Sequence, residues 1–332
     1  MFEKICEIYN LGKYTSAEEI KGGLTNKLYK LTTDTNTYAI KIINPDNITN
    51  NPDLLNRIEV SEKIANMASN NGVHAVCANN FNGKYIQSFE SNYFLIYDWI
   101  NGNILLTKEI GLDHVIKVAR ELSMLHSIPV TLDKEVVKYK KIDFNYYYNL
   151  IKDNKEEWSS SFQSNINLLT QIYDKVYDNY LNISNEKSYV HKDYNRKNIL
   201  WSKDIPYIID WETATIDNPI IDFFNSAWFL TADVSYDKYF VFTSEYSKLK
   251  PLPEDIETYA YASIIEECNW LEFSLKRALQ IHSKDLNEIQ LGMESVKTSL
   301  KEILEYYKKI PLMLEIINEV KREENYGKNN NK

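Results

Sequence analysis

The sequence predicts an α+β protein with a small N-terminal lobe, built from an antiparallel sheet and one helix, and a larger, mainly helical C-terminal lobe. Strand-like runs separated by turn residues fill 19–43 and 84–99, whereas helical periodicity dominates after residue 102. A chain of 332 residues with 44% hydrophobic residues also has enough apolar material for a proper core.

The N-terminal lobe is expected over residues 1–100. Residues 27–33 and 37–43 read as two strands joined by a turn at 34–36. Apolar residues spaced for one helical face then predict a helix over 53–69, and two further strands follow over 84–89 and 93–99. A hinge is expected at about 98–102, where an Asn-Gly pair precedes the change of pattern.

The C-terminal lobe is expected over residues 101–325. Helical periodicity covers 112–127 and a long stretch of 144–181, and helices dominate again over 253–322. Two short apolar runs, 198–201 and 207–210, predict a buried hairpin between these helical regions. The polar segment 326–332 is expected to be a disordered tail.

Bulk properties favour a cytoplasmic enzyme over a secreted, membrane or nucleic-acid-binding protein. The three cysteines are widely spaced, which suggests neither a disulfide framework nor a zinc site. The sequence has no signal-peptide pattern and no apolar run long enough to span a bilayer. A net charge of -9 opposes binding to nucleic acid or anionic lipid and tolerates a cationic substrate.

The segment HKDYNRKNIL at 191–200 and the strand-like IIDWE at 208–212 carry the main chemical signal. Asp193 is followed five residues later by Asn198 and seventeen residues later by Asp210. Phosphoryl transfer to an alcohol needs a carboxylate to accept the hydroxyl proton. It also needs an amide oxygen and a second carboxylate to hold Mg²⁺ against nucleotide phosphates. The order and spacing of these residues suit that chemistry.

This arrangement resembles the catalytic loop and metal-binding aspartate of the protein-kinase-like fold, in the form found in aminoglycoside phosphotransferases and choline kinases. The resemblance implies that Asp193 is the catalytic base, that Asn198 and Asp210 bind Mg²⁺, and that His191 braces the loop. His191 could equally be an ordinary hydrogen-bonded structural histidine. Lys192 departs from the antibiotic kinases, which usually have glycine there, so the local loop geometry is open.

The GGLTN sequence at 22–26 resembles the nucleotide loop of choline kinases and their relatives. Gly22 and Gly23 would let the backbone approach phosphate closely, with Thr25 and Asn26 completing the loop. By the same resemblance, Lys41 on the following hairpin neutralises the nucleotide phosphates. A glycine pair alone would indicate only a turn, and the downstream lysine favours the nucleotide-binding reading.

The 53–69 helix is expected to supply a carboxylate partner for Lys41. Glu62 lies on its inward face, one turn from Ile58, and Glu59 is the competing candidate. A solvated surface role is the ordinary alternative for either glutamate.

The segment YDWING at 97–102 resembles the part of this fold whose backbone pairs with the nucleotide base. The resemblance implies base contacts from the Asp98 carbonyl and the Ile100 amide, with Tyr97 at the back of the base pocket. Because some antibiotic kinases with a similar tyrosine favour GTP, both ATP and GTP remain candidates. Tyr97 could also be an ordinary buried strand residue.

Asp222 resembles the aspartate that supports the catalytic loop backbone in this family. Only eleven residues separate it from Asp210, whereas protein kinases insert a longer peptide-docking segment there. A protein substrate is therefore not expected.

Substrate selection in this family falls largely to the helical lobe, which directs attention to 264–273. Glu266, Glu267, Trp270 and Glu272 could hold a cation through ion pairing and cation–π contact. The alternative is an amphipathic helix with solvated glutamates and a core tryptophan.

Taken with the resemblance, the sequence predicts a Mg²⁺-dependent kinase that uses ATP or GTP and a small-molecule hydroxyl acceptor. An aminoglycoside-type, antibiotic-resistance activity is the first choice, and a choline or ethanolamine kinase is a close second. A catalytically inactive nucleotide-binding or scaffolding protein is the alternative of another class. The protein is expected to be a monomer or homodimer without nucleic-acid or membrane partners.

Overall fold

The computed structural model describes residues 1–20, 26–133, 136, 138–281 and 284–330. The chain divides into two compact units. The first comprises Met1–Val130 and Ser188–Ile216, and the second comprises Thr131–Lys187 and Asp217–Lys332.

Among the described residues of the first unit, five strands form one antiparallel sheet. These are β1 (Tyr14–Ile20), β2 (Lys27–Thr33), β3 (Thr37–Ile42), β4 (Gln87–Phe89) and β5 (Asn92–Asp98), in the order β1-β2-β3-β5-β4. The β2–β3 hairpin and β5 agree closely with the strands that the sequence predicts.

One face of this sheet packs against α1 (Phe2–Tyr9). Leu31 and Ile40 are fully buried there with Ile5 of the helix. Asn10 ends α1 in the left-handed conformation, with φ 53°. The sequence analysis missed α1, because eight residues give too short a periodic signal, and it also missed the brief α2 (Pro45–Asn50).

The opposite face of the sheet packs against α3 (Leu54–Asn70), the helix predicted over 53–69. Ile43 and Leu95 form a buried cluster there with Ile58 of the helix. Because side chains alternate along a strand, Lys41 lies on the same face as Ile43, and it pairs in register with Leu95.

The described remainder of the first unit includes one longer helix and several short strands. They are α4 (Leu112–Ser127), β6 (Ser188–Val190), β7 (Ile199–Ser202), β8 (Ile205–Ile208) and β9 (Thr215–Asp217). The antiparallel β7–β8 pair is the predicted buried hairpin. Val76 and His74 add backbone hydrogen bonds of 2.8 Å to Ile208, so the segment after α3 is fixed to the strand that leads to Asp210.

The described part of the second unit is largely helical. Its helices are α5 (Phe144–Ile151), α6 (Glu157–Tyr180), α7 (Pro219–Leu230), α8 (Tyr236–Ser247), α9 (Ile256–Ala262), α10 (Ile265–Ala278) and α11 (Leu286–Asn330). The single helical stretch predicted over 144–181 is therefore two helices. Between them, the Asn154 side chain accepts a hydrogen bond from the Glu156 amide at 2.8 Å, which stabilises a turn in place of a continuous helix.

Helices α10 and α11 approach each other closely at Gly292. A Cβ atom added there would lie 2.5 Å from the Ala278 backbone nitrogen and 2.7 Å from the Arg277 Cβ. This position therefore requires the absence of a side chain. None of the helices in the described ranges combines the length and apolar character needed to cross a membrane.

Candidate active site

His191 holds the beginning of the loop that carries Asp193. The ring is fully buried, and its Nε2 atom lies 3.1 Å from the carbonyl oxygen of Ile209. A carbonyl can only accept, so Nε2 carries the proton and Nδ1 accepts from the Asp193 amide at 3.3 Å. Lys192 adopts φ 65°, a left-handed conformation that glycine enters at lower energy than lysine.

Asp193 and Asn198 are joined directly. The Asn198 Nδ2 donates to the Asp193 Oδ2 at 2.7 Å and to the Asp193 carbonyl oxygen at 2.9 Å. Asn195 also donates to the Asp193 carboxylate from its side chain. The buried Asn198 thus directs its nitrogen at Asp193, and its side-chain oxygen is the atom with the chemistry to ligate a cation.

Burial raises the pKa of the Asp193 carboxyl above its ordinary value, although Lys197, His191 and Asn198 oppose the shift. A raised pKa makes a carboxylate a stronger proton acceptor. The environment of Asp193 therefore suits the role of general base.

Asp210 and Lys41 form an ion pair. The Lys41 Nζ lies 2.8 Å from the Asp210 Oδ1, and Asp210 itself adopts φ 61° at the end of the hairpin. Burial works to raise the pKa of Asp210, but the Lys41 ammonium outweighs it and holds the pKa below the ordinary value. Asp210 therefore stays ionised at neutral pH.

Glu212 is a second partner of Lys41 that the sequence analysis did not single out. Its Oε1 lies 2.5 Å from the Lys41 Nζ and accepts a hydrogen bond from the Asn26 Nδ2 at 2.9 Å. Burial works to lower the pKa of Lys41, yet Glu212 and Asp210 hold it above its ordinary value. Lys41 is thus a fixed cation beside two carboxylates.

The prediction that a carboxylate of α3 pairs with Lys41 is corrected here. Among the described residues, the ion partners of Lys41 are Asp210 and Glu212. Glu62 instead accepts hydrogen bonds from the Ala78 amide at 2.7 Å and from the Tyr97 hydroxyl at 2.6 Å.

Glu59 likewise accepts from backbone amides, those of Tyr85 and Ile86, each at 3.0 Å. Both glutamates therefore anchor the chain that follows α3. Neither is among the ion-pair partners that the described residues give Lys41.

Burial raises the pKa of Glu62 to about 7, although Ala78, Tyr97 and Lys41 work against the shift. Burial also raises the pKa of Tyr97, and the neighbouring Glu62 adds to that effect. The Tyr97 hydroxyl therefore keeps its proton at neutral pH and donates a hydrogen bond to Glu62.

The family of the chain is decided by a sequence-family model. The model of the phosphotransferase enzyme family, APH, matches residues 16–252, which is more than half of the chain. The chain belongs to this phosphotransferase family. It is a small-molecule phosphotransferase, and the resemblance seen in the sequence is confirmed. No curated protein matches the sequence.

Three solved structures illustrate what this phosphotransferase is similar to. A spectinomycin phosphotransferase in complex with ADP and spectinomycin is 15% identical with a TM-score of 0.63, and the match covers 90% of this chain and 97% of that one. A choline kinase from Streptococcus pneumoniae is 18% identical with a TM-score of 0.60, covering 91% and 98%. An ethanolamine kinase from Plasmodium vivax is 19% identical with a TM-score of 0.58, covering 86% and 81%. These similarities concern the fold, and they confirm the predicted α+β, protein-kinase-like class.

In this phosphotransferase, the two residues predicted to contact the nucleotide base through their backbone, Asp98 and Ile100, lie at and just after the end of β5. Asp98 ends this strand, and its carboxylate accepts a hydrogen bond from the Asn79 side chain at 3.3 Å. Ile100 follows two residues later, and its carbonyl accepts from the Gly102 amide at 3.1 Å. The base contacts expected of Asp98 and Ile100 stay predictions, as does the hinge itself.

Three residues predicted to contact nucleotide, Gly22, Gly23 and Thr25, lie outside the described residues. Asp222 lies buried in α7 of the second unit, and its supporting role stays a prediction.

The predicted substrate residues share helix α10 in the second unit. Trp270 is 47% exposed and stacks on Phe273 with ring centroids 5.4 Å apart, so it is not a core residue. Glu272 accepts from the Tyr147 hydroxyl at 2.8 Å and pairs with Lys276.

The two glutamates at the start of α10 differ in their surroundings from Glu272. Glu266 accepts from the Asn225 side chain at 2.7 Å, and Glu267 lies in the same first turn of the helix. Helix α10 thus carries the exposed, stacked rings of Trp270 and Phe273 and several carboxylates, of which Glu266 and Glu272 accept hydrogen bonds from neighbouring side chains.

The oxygen atoms of Asp210 and Asn198 have the chemistry of Mg²⁺ ligands. No group of three or more His, Cys, Asp or Glu side chains that could hold a metal occurs among the described residues. Mg²⁺ does not need such a group, since it usually binds through one or two carboxylates, water and substrate phosphates. Asp210 and the Asn198 side-chain oxygen supply ligands of that kind.

Proposed function

We propose that the protein transfers the terminal phosphate of ATP or GTP to a hydroxyl group of a small cationic molecule. In this proposal Asp193 is the catalytic base, Asn198 and Asp210 bind Mg²⁺, and Lys41 contacts the nucleotide phosphates. The supporting observation is that these four side chains form two bonded pairs within one unit. Asn198 contacts Asp193 at 2.7 Å, and Lys41 contacts Asp210 at 2.8 Å.

The two pairs are linked through the backbone. The Ile209 amide donates to the Asn198 carbonyl oxygen at 2.9 Å, and the Ile209 carbonyl accepts from His191. The residue before Asp210 is therefore bonded to both ends of the loop that carries Asp193. This arrangement fixes the base relative to the metal ligand, and such positioning accounts for most of the catalysis in phosphoryl transfer.

Each side chain has a distinct task in the proposed reaction. Asp193 accepts the acceptor's hydroxyl proton as the oxygen attacks the terminal phosphorus. The bond from that phosphorus to the bridging oxygen breaks, and the nucleoside diphosphate leaves. Asn198 holds the Asp193 carboxylate in place. Lys41 offsets negative charge on the phosphates. When bound at Asn198 and Asp210, Mg²⁺ would neutralise charge that develops on the phosphate oxygens.

An aminoglycoside-type acceptor is the first proposal for the substrate. The net charge of -9, together with the exposed Trp270 beside carboxylates on α10, supports a cationic molecule. The similarity to a solved spectinomycin phosphotransferase points the same way. In this proposal the enzyme is cytoplasmic and confers antibiotic resistance, as a monomer or homodimer.

A choline or ethanolamine acceptor is the second proposal. The specific observation in its favour is the hydrogen bond between Asn26 and Glu212, because it joins the GGLTN and DWE motifs that suit this group of kinases. The solved choline kinase and ethanolamine kinase support it as well. A purely scaffolding role is disfavoured, because Lys41, Asp193, Asn198 and Asp210 are all retained.

The test is a coupled ADP or GDP release assay over aminoglycosides, choline, ethanolamine and small sugars, with Asp193→Asn as the control. Turnover with an aminoglycoside that the variant loses would support the first proposal. Turnover with choline or ethanolamine alone would reject it in favour of the second. Binding of Mg-nucleotide without turnover on any acceptor would support the non-catalytic alternative.

A further inference from the structure

The Asn26 side chain makes two hydrogen bonds within the protein. Its Nδ2 donates to the Glu212 Oε1 at 2.9 Å, and its Oδ1 accepts from the Asn44 amide at 3.0 Å. The first bond reaches a residue 186 positions away, immediately beyond Asp210. The second ties Asn26 to the end of the hairpin that carries Lys41. These two bonds fix the orientation of the carboxamide.

The Glu212 Oε1 is the point at which these contacts meet. The same oxygen that accepts from Asn26 lies 2.5 Å from the Lys41 Nζ. The side chains of Lys41 and Glu212 are 17% and 26% exposed, so water screens their attraction only partly. A hydrogen bond from a neutral amide restricts the rotamers of Glu212 without competing for its charge.

We propose that Asn26 is a positioning residue: it fixes Glu212, and Glu212 in turn fixes the Lys41 ammonium where the nucleotide phosphates bind. This inference rests on the proposed function and revises the expectation that Asn26 contacts nucleotide directly. Its carboxamide already has one donor and one acceptor bond inside the protein. The same bond links the start of β2 to the segment that follows the metal ligand.

A reversal of the hydrogen bond tests this role. Asn26→Asp places two carboxylates in contact, whereas Glu212→Gln keeps an acceptor for Asn26 but removes one of the two negative charges beside Lys41. The double variant Asn26→Asp/Glu212→Gln keeps the total charge and lets the new amide at position 212 donate to the new carboxylate at position 26. In the double variant, the carboxylate of this hydrogen-bonded pair is at position 26 instead of position 212.

We expect Asn26→Asp alone to raise the KM for Mg-nucleotide about tenfold, with a smaller change in kcat, since one charge-assisted contact is worth about a factor of ten or more. The double variant should recover most of that loss. Asn56→Asp is the matched control, because the exposed Asn56 also donates to a carboxylate, that of Asp53 at 3.2 Å, and this bond lies at the start of α3 and involves neither Lys41 nor Glu212. It should leave KM unchanged.

Calorimetry measures the affinity of wild type and each variant for Mg-nucleotide without an acceptor, and circular dichroism verifies that each variant is folded. If the losses of Mg-nucleotide affinity in the two single variants simply added in the double variant, the inference would be overturned. A residue that touches nucleotide directly would not regain affinity through a change at Glu212. A loss in kcat alone would overturn it as well. Failure of the proposed function is a separate outcome: the wild type would then bind Mg-nucleotide but transfer phosphate to no acceptor.

Discussion

Replacing Glu62 with glutamine is expected to remove a pH-dependent loss of folding free energy. Glu62 is only 1% exposed, and burial raises the pKa of its carboxyl from 4.5 to about 7. The folded protein therefore holds a proton on Glu62 between these two values, while the unfolded chain releases it. The protonated group contributes its full stability below pH 4.5, and this contribution is lost as the pH rises to about 7.

The magnitude follows from the size of the pKa change. Each unit of pKa difference corresponds to about 1.4 kcal/mol, so the loss between pH 4.5 and pH 7 is roughly 3 kcal/mol. The glutamine side chain is neutral at every pH and does not incur this loss. The free energy of unfolding of Glu62→Gln relative to wild type should therefore rise by roughly 3 kcal/mol from about pH 4.5 to about pH 8.

Urea unfolding of both proteins at several pH values measures this difference, because effects of all other titrating groups cancel in the comparison. Tyr97→Phe is the companion variant. It removes a hydrogen bond that lowers the pKa of Glu62, so its own stability should fall more steeply with pH than that of the wild type. A difference between wild type and Glu62→Gln that does not change with pH would refute the reasoning.

Two further variants test the metal site and the helix packing. Asp210→Ala should remove the Mg²⁺-dependent part of nucleotide affinity, which calorimetry with and without Mg²⁺ measures; unchanged Mg²⁺ dependence would exclude Asp210 as a ligand. Gly292→Ala should lower the free energy of unfolding by about 1–3 kcal/mol, because the new methyl group meets the Ala278 backbone nitrogen at 2.5 Å. Gly111→Ala, whose methyl group would meet its nearest neighbour at 3.7 Å, is the control for denaturant melts, and equal effects of both changes would contradict the packing argument.

The sequence predicted the main elements where periodicity is strong. The helix predicted over 112–127 is α4 (Leu112–Ser127), and the hairpin predicted over 27–43 is β2 and β3. The prediction of a single helix over 144–181 was wrong, because a local side-chain hydrogen bond interrupts the helix there. The sequence pattern does not show the Asn154 turn between α5 and α6, because helical periodicity continues across the break.

The spacing of site residues indicated which side chains meet, but it did not indicate how their bonds are distributed. The order of Lys41, Asp193, Asn198 and Asp210 was sufficient to expect one cluster. The partner of Lys41 was misassigned to α3, because the local sequence cannot show that the Ala78 amide and the Tyr97 hydroxyl donate to Glu62. Glu212 was visible in the DWE motif, yet its bond to Asn26 spans 186 residues and leaves no local signal.

In the proposed reaction Asp193 performs the chemical step while other groups hold the nucleotide. The most direct test compares Mg-nucleotide affinity and phosphate transfer in wild type and Asp193→Asn, with the best acceptor from the panel. We expect an unchanged Kd for Mg-nucleotide and a turnover lowered by about 10²–10⁴-fold, the range for loss of a general base. Near-native turnover in the Asn variant would contradict the assignment.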